Sequence, residues 1–154
     1  MIIKIISIGN KLNSWELDSI NYYLKQIPKN LKIDFINLKS QQNPNYSESE
    51  VISKESKLIM SKISKDDFVV AFDIKGNQMS SKKFSDLIFD CFKTSKVLTF
   101  IIGGSFGLSS EIKDNSNRVL SASLFTFPHR LFRLLLIEQI YRAHTIKNNM
   151  PYHK

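Results

Sequence analysis

Glycine, arginine and histidine are scarce in this 154-residue chain, and their placement is uneven enough to suggest chemistry. Gly103, Gly104 and Gly107 fall together in IIGGSFG, directly after an apolar run rich in β-formers, and Gly76 follows a second such run in FDIKG. Open parallel sheets bind ligands beyond the carboxyl ends of their strands, where glycine lets a ligand approach the backbone. Two glycine-bearing turns at two strand ends therefore describe either the borders of one cleft or ordinary turns. The pattern is not the dinucleotide fingerprint, which needs G-x-G-x-x-G after the first strand; here that strand ends in Gly9 alone.

The basic residues are lysines except for Arg118, Arg130, Arg133 and Arg142, all in the C-terminal quarter of the chain. A planar, bidentate donor suits phosphate or carboxylate. Glu138, the sole carboxylate after Asp114, stands four residues before Arg142, at the spacing of a helical ion pair. The C-terminal region is thus strongly positive, either an anion-binding surface or a solvated helix face. His129, His144 and His153 lie there too, without H-x-x-x-H or H-E-x-x-H spacing, so no metal site is expected. The terminal Tyr152-His153-Lys154 joins an aromatic ring, an imidazole and an ammonium, a set suited to an unstacked base and its phosphate. No P-loop is present, and Cys91, inside an expected helix, reads as core.

The elements that must position these groups alternate. Ile2–Ile8, Lys32–Leu38, Phe68–Asp73 and Val97–Ile102 read as strands, with a small strand at Arg118–Ser121. Helices are expected from Asn13-Ser14 to Ile27, over Glu48–Ile63, from Ser80-Ser81 to about Phe92, near Ser109–Asp114, and over His129–Ile146. Lys39–Ser47 is the longest loop, a turn falls at Lys75-Gly76-Asn77, and KNNMPYHK reads as a polar, mobile tail. Such alternation, with continuous apolar strands, describes an α/β domain whose mostly parallel sheet carries helices on both faces. The last long helix is apolar all round, so it is either a central core helix or covered by a partner subunit.

Composition agrees with one domain over residues 1–154: 42% hydrophobic, 23% charged, with a formal net charge of +8. That excess favours a polyanionic partner, nucleic acid or an anionic membrane surface. A lone cysteine excludes an internal disulfide and a cysteine-built zinc site. No apolar run approaches the ~18 residues needed to span a bilayer, and Ile2–Ile8 lacks the features of a signal peptide. The expected setting is a reducing, cytoplasmic one.

FDIKG, FIIGGSFGL, SLFTFPHRLFRLLLIEQIYRAHTI and the terminal PYHK, in that order, closely resemble the RlmH family, ribosomal RNA large-subunit methyltransferases of the SPOUT class. ISIGNK and YLKQIPK resemble the family's opening, so the likeness runs the length of the chain. Ser105-Phe106 departs from it, where relatives often carry a second small or polar residue. The resemblance implies a C-terminal trefoil knot, a feature almost absent from other proteins. It also implies S-adenosylmethionine as cofactor, and N3 of a pseudouridine in the helix 69 loop of 23S rRNA as target, modified on the assembled ribosome by a homodimer. Carried over by motif, the cofactor rests against Phe72, Gly103, Gly104 and the loop Ser123, Leu124, Phe125, Thr126 and Phe127. His129, Arg133, Arg142, Tyr152 and His153 surround the target nucleotide, with His153 or His129 handling the proton. A related methyltransferase acting on another RNA, and a basic RNA-docking module without chemistry, are the rival readings.

Overall fold

The computed structural model describes residues 1–95 and 97–153; Lys96, Lys154 and the side chain of His153, the last two read above as RNA-facing groups, lie outside the described residues. The apolar runs form five parallel strands, β1 (Ile2–Ile8), β2 (Lys32–Leu38), β3 (Phe68–Asn77), β4 (Val97–Ile102) and β5 (Arg118–Leu120), ordered β2-β1-β4-β3-β5. The helices are α1 (Ser14–Leu24), α2 (Glu48–Met60), α3 (Ser81–Thr94), α4 (Ser110–Asp114) and α5 (His129–Lys147). Both faces of the sheet are covered, which is why the central strands are apolar without a gap. Ile3, Ile5, Val70, Leu98 and Phe100 pack toward α1, α3 and α5, including Ile20, Ile88 and Ile137. Ile6, Ile8, Val69, Ala71 and Ile101 pack toward Ile59 of α2 and Ile112 of α4.

Local chemistry sets the helix starts. Asn13 and Ser47 each close a capping box, with Glu16 and Glu50 three residues on. Ser80 and Ser109 cap α3 and α4 with their hydroxyls. Helix α1 ends at Leu24 rather than Ile27, and α2 at Met60 rather than Ile63, each followed by a hydrogen-bonded turn.

Two features differ more usefully from expectation. The turn expected at Lys75-Gly76-Asn77 is a continuation of β3, in which Asn77 pairs with Leu120 after a register shift. A Cβ at Gly76 would overlap the Leu120 backbone, so only glycine permits this crossing of the two chain segments. The tail is also ordered up to its last turn: Pro151–His153 form a 3-10 turn, and the Tyr152 ring lies 4.7 Å from that of Tyr141. Helix α5 resolves into a core helix on one side. Leu136, Ile137, Ile140, Tyr141 and Ala143 are buried, whereas Leu131 is exposed. The chain leaves β1 toward β2 and leaves β4 toward β5, so the carboxyl ends of β1 and β4 flank a topological switch point.

Candidate active site

Beyond the carboxyl ends of β3 and β5 lies a cleft of about 370 Å³. Its floor is aromatic: the Phe72 ring stacks on Phe100 at 5.7 Å and meets the edge of Phe132 at 4.9 Å. The loop after β5 forms one wall, as Leu120, Ser121, Ala122, Ser123 and Phe127. Ser121 N–H donates to the Asn77 carbonyl at 3.0 Å, and the Ser123 hydroxyl accepts from Phe125 N–H at 2.9 Å, so the loop is pinned at its root and within itself. The opposite wall comes from the face of α5 bearing Phe132, Leu135, Leu136 and Gln139, and from Met79, Ser81 and Phe84 around the start of α3. Ser81 Oγ donates to Gln139 Oε1 at 2.7 Å and ties these two helices together beside the cleft. An apolar cavity of this size with a few hydroxyls, one amide and open backbone edges suits a planar, largely neutral ring.

Phe72, Ser123 and Phe127, expected at the cofactor, line this cleft. Leu124 and Phe125 turn outward, 90% and 80% exposed, and Thr126 is exposed with them. Gly103 and Gly104 are buried at the end of β4, outside the cleft lining. The α5 stripe at 132, 135, 136 and 139 was missed by sequence reasoning, although its i, i+3, i+4, i+7 spacing is the ordinary signal of one helix face. A larger groove along α1, about 590 Å³, is an open surface built by that helix alone and brings no second element to bear.

The arginines divide into two clusters. Arg133 is 1% exposed and its Nη2 donates to Glu16 Oε1 at 3.0 Å, while Nη1 reaches the Asn10 carbonyl at 3.3 Å and Asn37 Oδ1 at 3.1 Å. Arg130 donates to the other Glu16 oxygen at 2.7 Å. Glu16, wholly buried, thus anchors the start of α5 to α1 and also closes the α1 capping box. Burial works against the Arg133 charge, and Glu16 opposes that effect. The structure therefore places Arg133 inside the protein, where it holds α5 beside the ends of β1 and β2.

The second cluster joins the tail to α5. Arg142 donates to Glu138 Oε1 from Nε at 3.0 Å and Nη2 at 2.7 Å, Tyr152 Oη donates to the same oxygen at 3.0 Å, and the Arg142 guanidinium lies 5.0 Å over the Tyr152 ring. Burial, then hydrogen bonding with Tyr23 and Glu138, pushes the Tyr152 phenol well above its usual range, so it stays a neutral donor. Arg142 and Tyr152 are both partly solvent-accessible, a cation and an aromatic face presented together. His129 opens α5 near the first cluster. Burial and Arg133 lower its pKa while Glu55 opposes them, so its neutral form is favoured. His144 is lowered by burial alone, and its ring lies 3.1 Å from the Asn148 amide. Arg118, on the edge strand, donates to the neighbouring Asn117 carbonyl.

Among the described residues no three His, Cys, Asp or Glu side chains converge as metal ligands, and no helix is long and apolar enough to cross a membrane. Among the described residues that line the cleft, no nucleophile is paired with a base. An arrangement of this kind aligns an already activated group with its acceptor rather than forming a covalent intermediate.

Comparison with known proteins specifies the group. The family model described as "Predicted SPOUT methyltransferase" matches residues 1–153. The chain is 42% identical to the Ribosomal RNA large subunit methyltransferase H of Clostridium perfringens strain 13, and 40% identical to the protein of the same name from Clostridium botulinum strain Loch Maree. In both cases the match covers the whole of each chain. The transferred group is a methyl and the chain uses a methyl donor, because a five-stranded parallel α/β protein matched from end to end in this way belongs to the SPOUT methyltransferase family.

Proposed function

We propose that this chain, acting as one domain, transfers a methyl group from S-adenosylmethionine to N3 of a pseudouridine in the large-subunit ribosomal RNA. The 370 Å³ cleft beyond β3 and β5 carries this reading, because it combines the size, the aromatic floor and the pinned loop that an adenosine-containing ligand requires. When bound, S-adenosylmethionine supplies a methyl already activated on a sulfonium. Phe72, Phe127, Phe132 and Leu136 hold its apolar parts, and Ser121, Ser123 and Gln139 offer hydrogen bonds. Gly103 and Gly104 bring the β4 backbone to the same end of the sheet.

Arg142, with the Tyr152 ring beside it and about 20 Å along α5 from His129, binds the RNA strand next to the target nucleotide through charge and stacking, and Glu138 fixes both groups. His129, whose neutral form is favoured, takes the N3 proton as the nitrogen–methyl bond forms, with His153 as the other imidazole able to do so. Arginine stabilises the negative charge that develops on the uracil ring. The net charge of +8 draws the enzyme to RNA.

The relatives act on ribosomal RNA by name, which supports the substrate class, with the cytoplasm as its setting. Exposure of Ile74, Leu124 and Phe125 around the cleft supports a homodimer that covers them. The close crossing of Gly76 and Leu120, with α5 leaving on the face opposite α4, supports a threaded, trefoil-knotted C-terminus.

Calorimetric titration with S-adenosylmethionine tests the cleft. Binding to the unaltered protein, weakened at least about tenfold in Leu135→Trp with the circular dichroism unchanged, is the expected result. Binding that Leu135→Trp leaves intact would move the cofactor elsewhere.

A further inference from the structure

Glu138 and Gln139 are neighbours on α5, and a chain of hydrogen bonds through them joins the cleft to the tail. Gln139 lines the cleft, where Ser81 Oγ donates to its Oε1 at 2.7 Å. Its Nε2 donates to Glu138 Oε2 at 2.6 Å, a contact that neither cofactor nor RNA binding, as described so far, uses. A carboxylate oxygen only accepts, so the amide must turn its nitrogen to Glu138 and its oxygen to Ser81. The hydroxyl at the start of α3 thus agrees with the carboxylate on which way the amide faces.

The other Glu138 oxygen carries an uneven load. Oε1 accepts from Arg142 Nε at 3.0 Å, from Arg142 Nη2 at 2.7 Å and from Tyr152 Oη at 3.0 Å. An arginine fork facing a carboxylate ordinarily gives one N–H to each oxygen. Here both N–H groups converge on one oxygen, and Gln139 holds the second. The phenol shares the same oxygen, so the guanidinium and the ring are gathered at one point, 5.0 Å apart. The Glu138 side chain is 14% exposed and that of Arg142 30%, so the carboxylate is sheltered while the cation reaches solvent.

We infer that Gln139 is a positioning residue for RNA binding: by holding Glu138 Oε2, it gathers Arg142 and Tyr152 on Oε1 and so sets the cation and the ring that meet the RNA strand. The inference rests on the reading of that pair as RNA-binding. One amide then serves two sites, since the same side chain lines the cleft and orders the grip on RNA.

The test compares full-length variants by NMR through the Arg142 Nε–H signal and the Tyr152 ring signals, assigned by their loss in Arg142→Lys and Tyr152→Phe. Gln139→Met keeps the length of the side chain and removes the amide. The arginine fork then takes one oxygen with each N–H, and both sets of signals should move. Ser81→Ala removes the tie between α3 and α5 but leaves Nε2 beside Glu138, so it should lower Tm and move the signals much less. Signals unmoved in folded Gln139→Met, or moved as far by Ser81→Ala, overturn the inference. Gln139→Asn, which draws the amide back by one methylene, gives the same two outcomes should Gln139→Met fail to fold. Filter binding of large-subunit RNA, without cofactor, should show affinity lowered about threefold or more in the Gln139 variant. Moved signals with RNA affinity unchanged would overturn the RNA reading of Arg142 and Tyr152, and with it the role inferred for Gln139. Failure of the hydrogen-bonded arrangement and failure of the RNA reading are therefore separate results.

Discussion

Replacing Glu16 with alanine removes three contacts at once, and their costs can be worked individually. The buried pair with Arg133 dominates, because the guanidinium is 1% exposed and keeps only the Asn10 carbonyl and Asn37 Oδ1 once Glu16 has gone. Stranding a buried charge in this way costs about 3–5 kcal/mol. Loss of the capping box to Asn13 N–H adds about 1 kcal/mol. The Arg130 pair, partly open to solvent, adds under about 1 kcal/mol. The expected loss is therefore about 4–7 kcal/mol, a large share of an ordinary domain's total stability. For a chain of this size, at about 2–4 °C per kcal/mol, it lowers Tm by at least about 8 °C and by as much as about 28 °C, measurable by calorimetry. Adding Arg133→Met to Glu16→Ala removes the stranded cation and should recover about 2 kcal/mol, although it deletes a second native side chain. A Tm within 3 °C of the unaltered protein for Glu16→Ala, or a double variant less stable than the single one, would refute the assignment of Arg133 as an internal anchor.

Other consequences are as direct. Burial pushes the Cys91 thiol up to about 11, so at pH 8 about 0.1% is thiolate, and alkylation in the native state should be slower by orders of magnitude than in denaturant. His129 and His144 are both held below their ordinary value, so the unfolded chain binds protons more readily than the folded one. Stability is thus full above about pH 6.5 and declines as pH falls through that value toward the folded midpoints, and His144→Asn combined with His129→Asn should flatten the decline in Tm. Gly76→Ala forces a methyl into the Leu120 backbone and should cost about 2–4 kcal/mol in urea denaturation and loosen the cofactor cleft with it. Deleting Tyr152–Lys154 takes away a ring bonded to Glu138 and should abolish methyl transfer with cofactor affinity unchanged; retained transfer would remove the tail from the site.

Much of this fold is legible because burial on both faces writes itself into the chain as unbroken apolar runs. VLTFII and FVVAFD are strands by that logic, and all five strands begin where the runs place them, although β3 runs on to Asn77. Helix starts are legible for the same local reason, since Asn13 with Glu16 and Ser47 with Glu50 carry their capping partners three residues on. What the sequence hides is long-range. Glu138 reads as the carboxylate for one arginine, yet Glu16, 117 residues before Arg133, serves two more. The resemblance makes residues 123–127 one cofactor wall, but pinning of the loop at Ser121 and Ser123 turns Ser123 and Phe127 inward and Leu124 and Phe125 outward, a distinction no periodicity carries. The tail reads as mobile because KNNMPYHK is polar, and it is held through Tyr152, whose ring packs at a tilt against Tyr141 and whose hydroxyl bonds to Glu138. Gly104 reads as a ligand-facing turn, whereas its missing side chain makes room for Glu55.

The central claim is the reaction, and label transfer from radioactive S-adenosylmethionine measures it most directly. Ribosomes from cells lacking this gene, and free large-subunit RNA, serve as acceptors, with the product mapped to a single nucleoside. Label at N3 of one pseudouridine in ribosomes, declining steeply as salt is raised, is the predicted result. Ribosomes left unlabelled by a protein that binds the cofactor would contradict the assigned substrate, and absence of both label and cofactor binding would contradict the assigned chemistry.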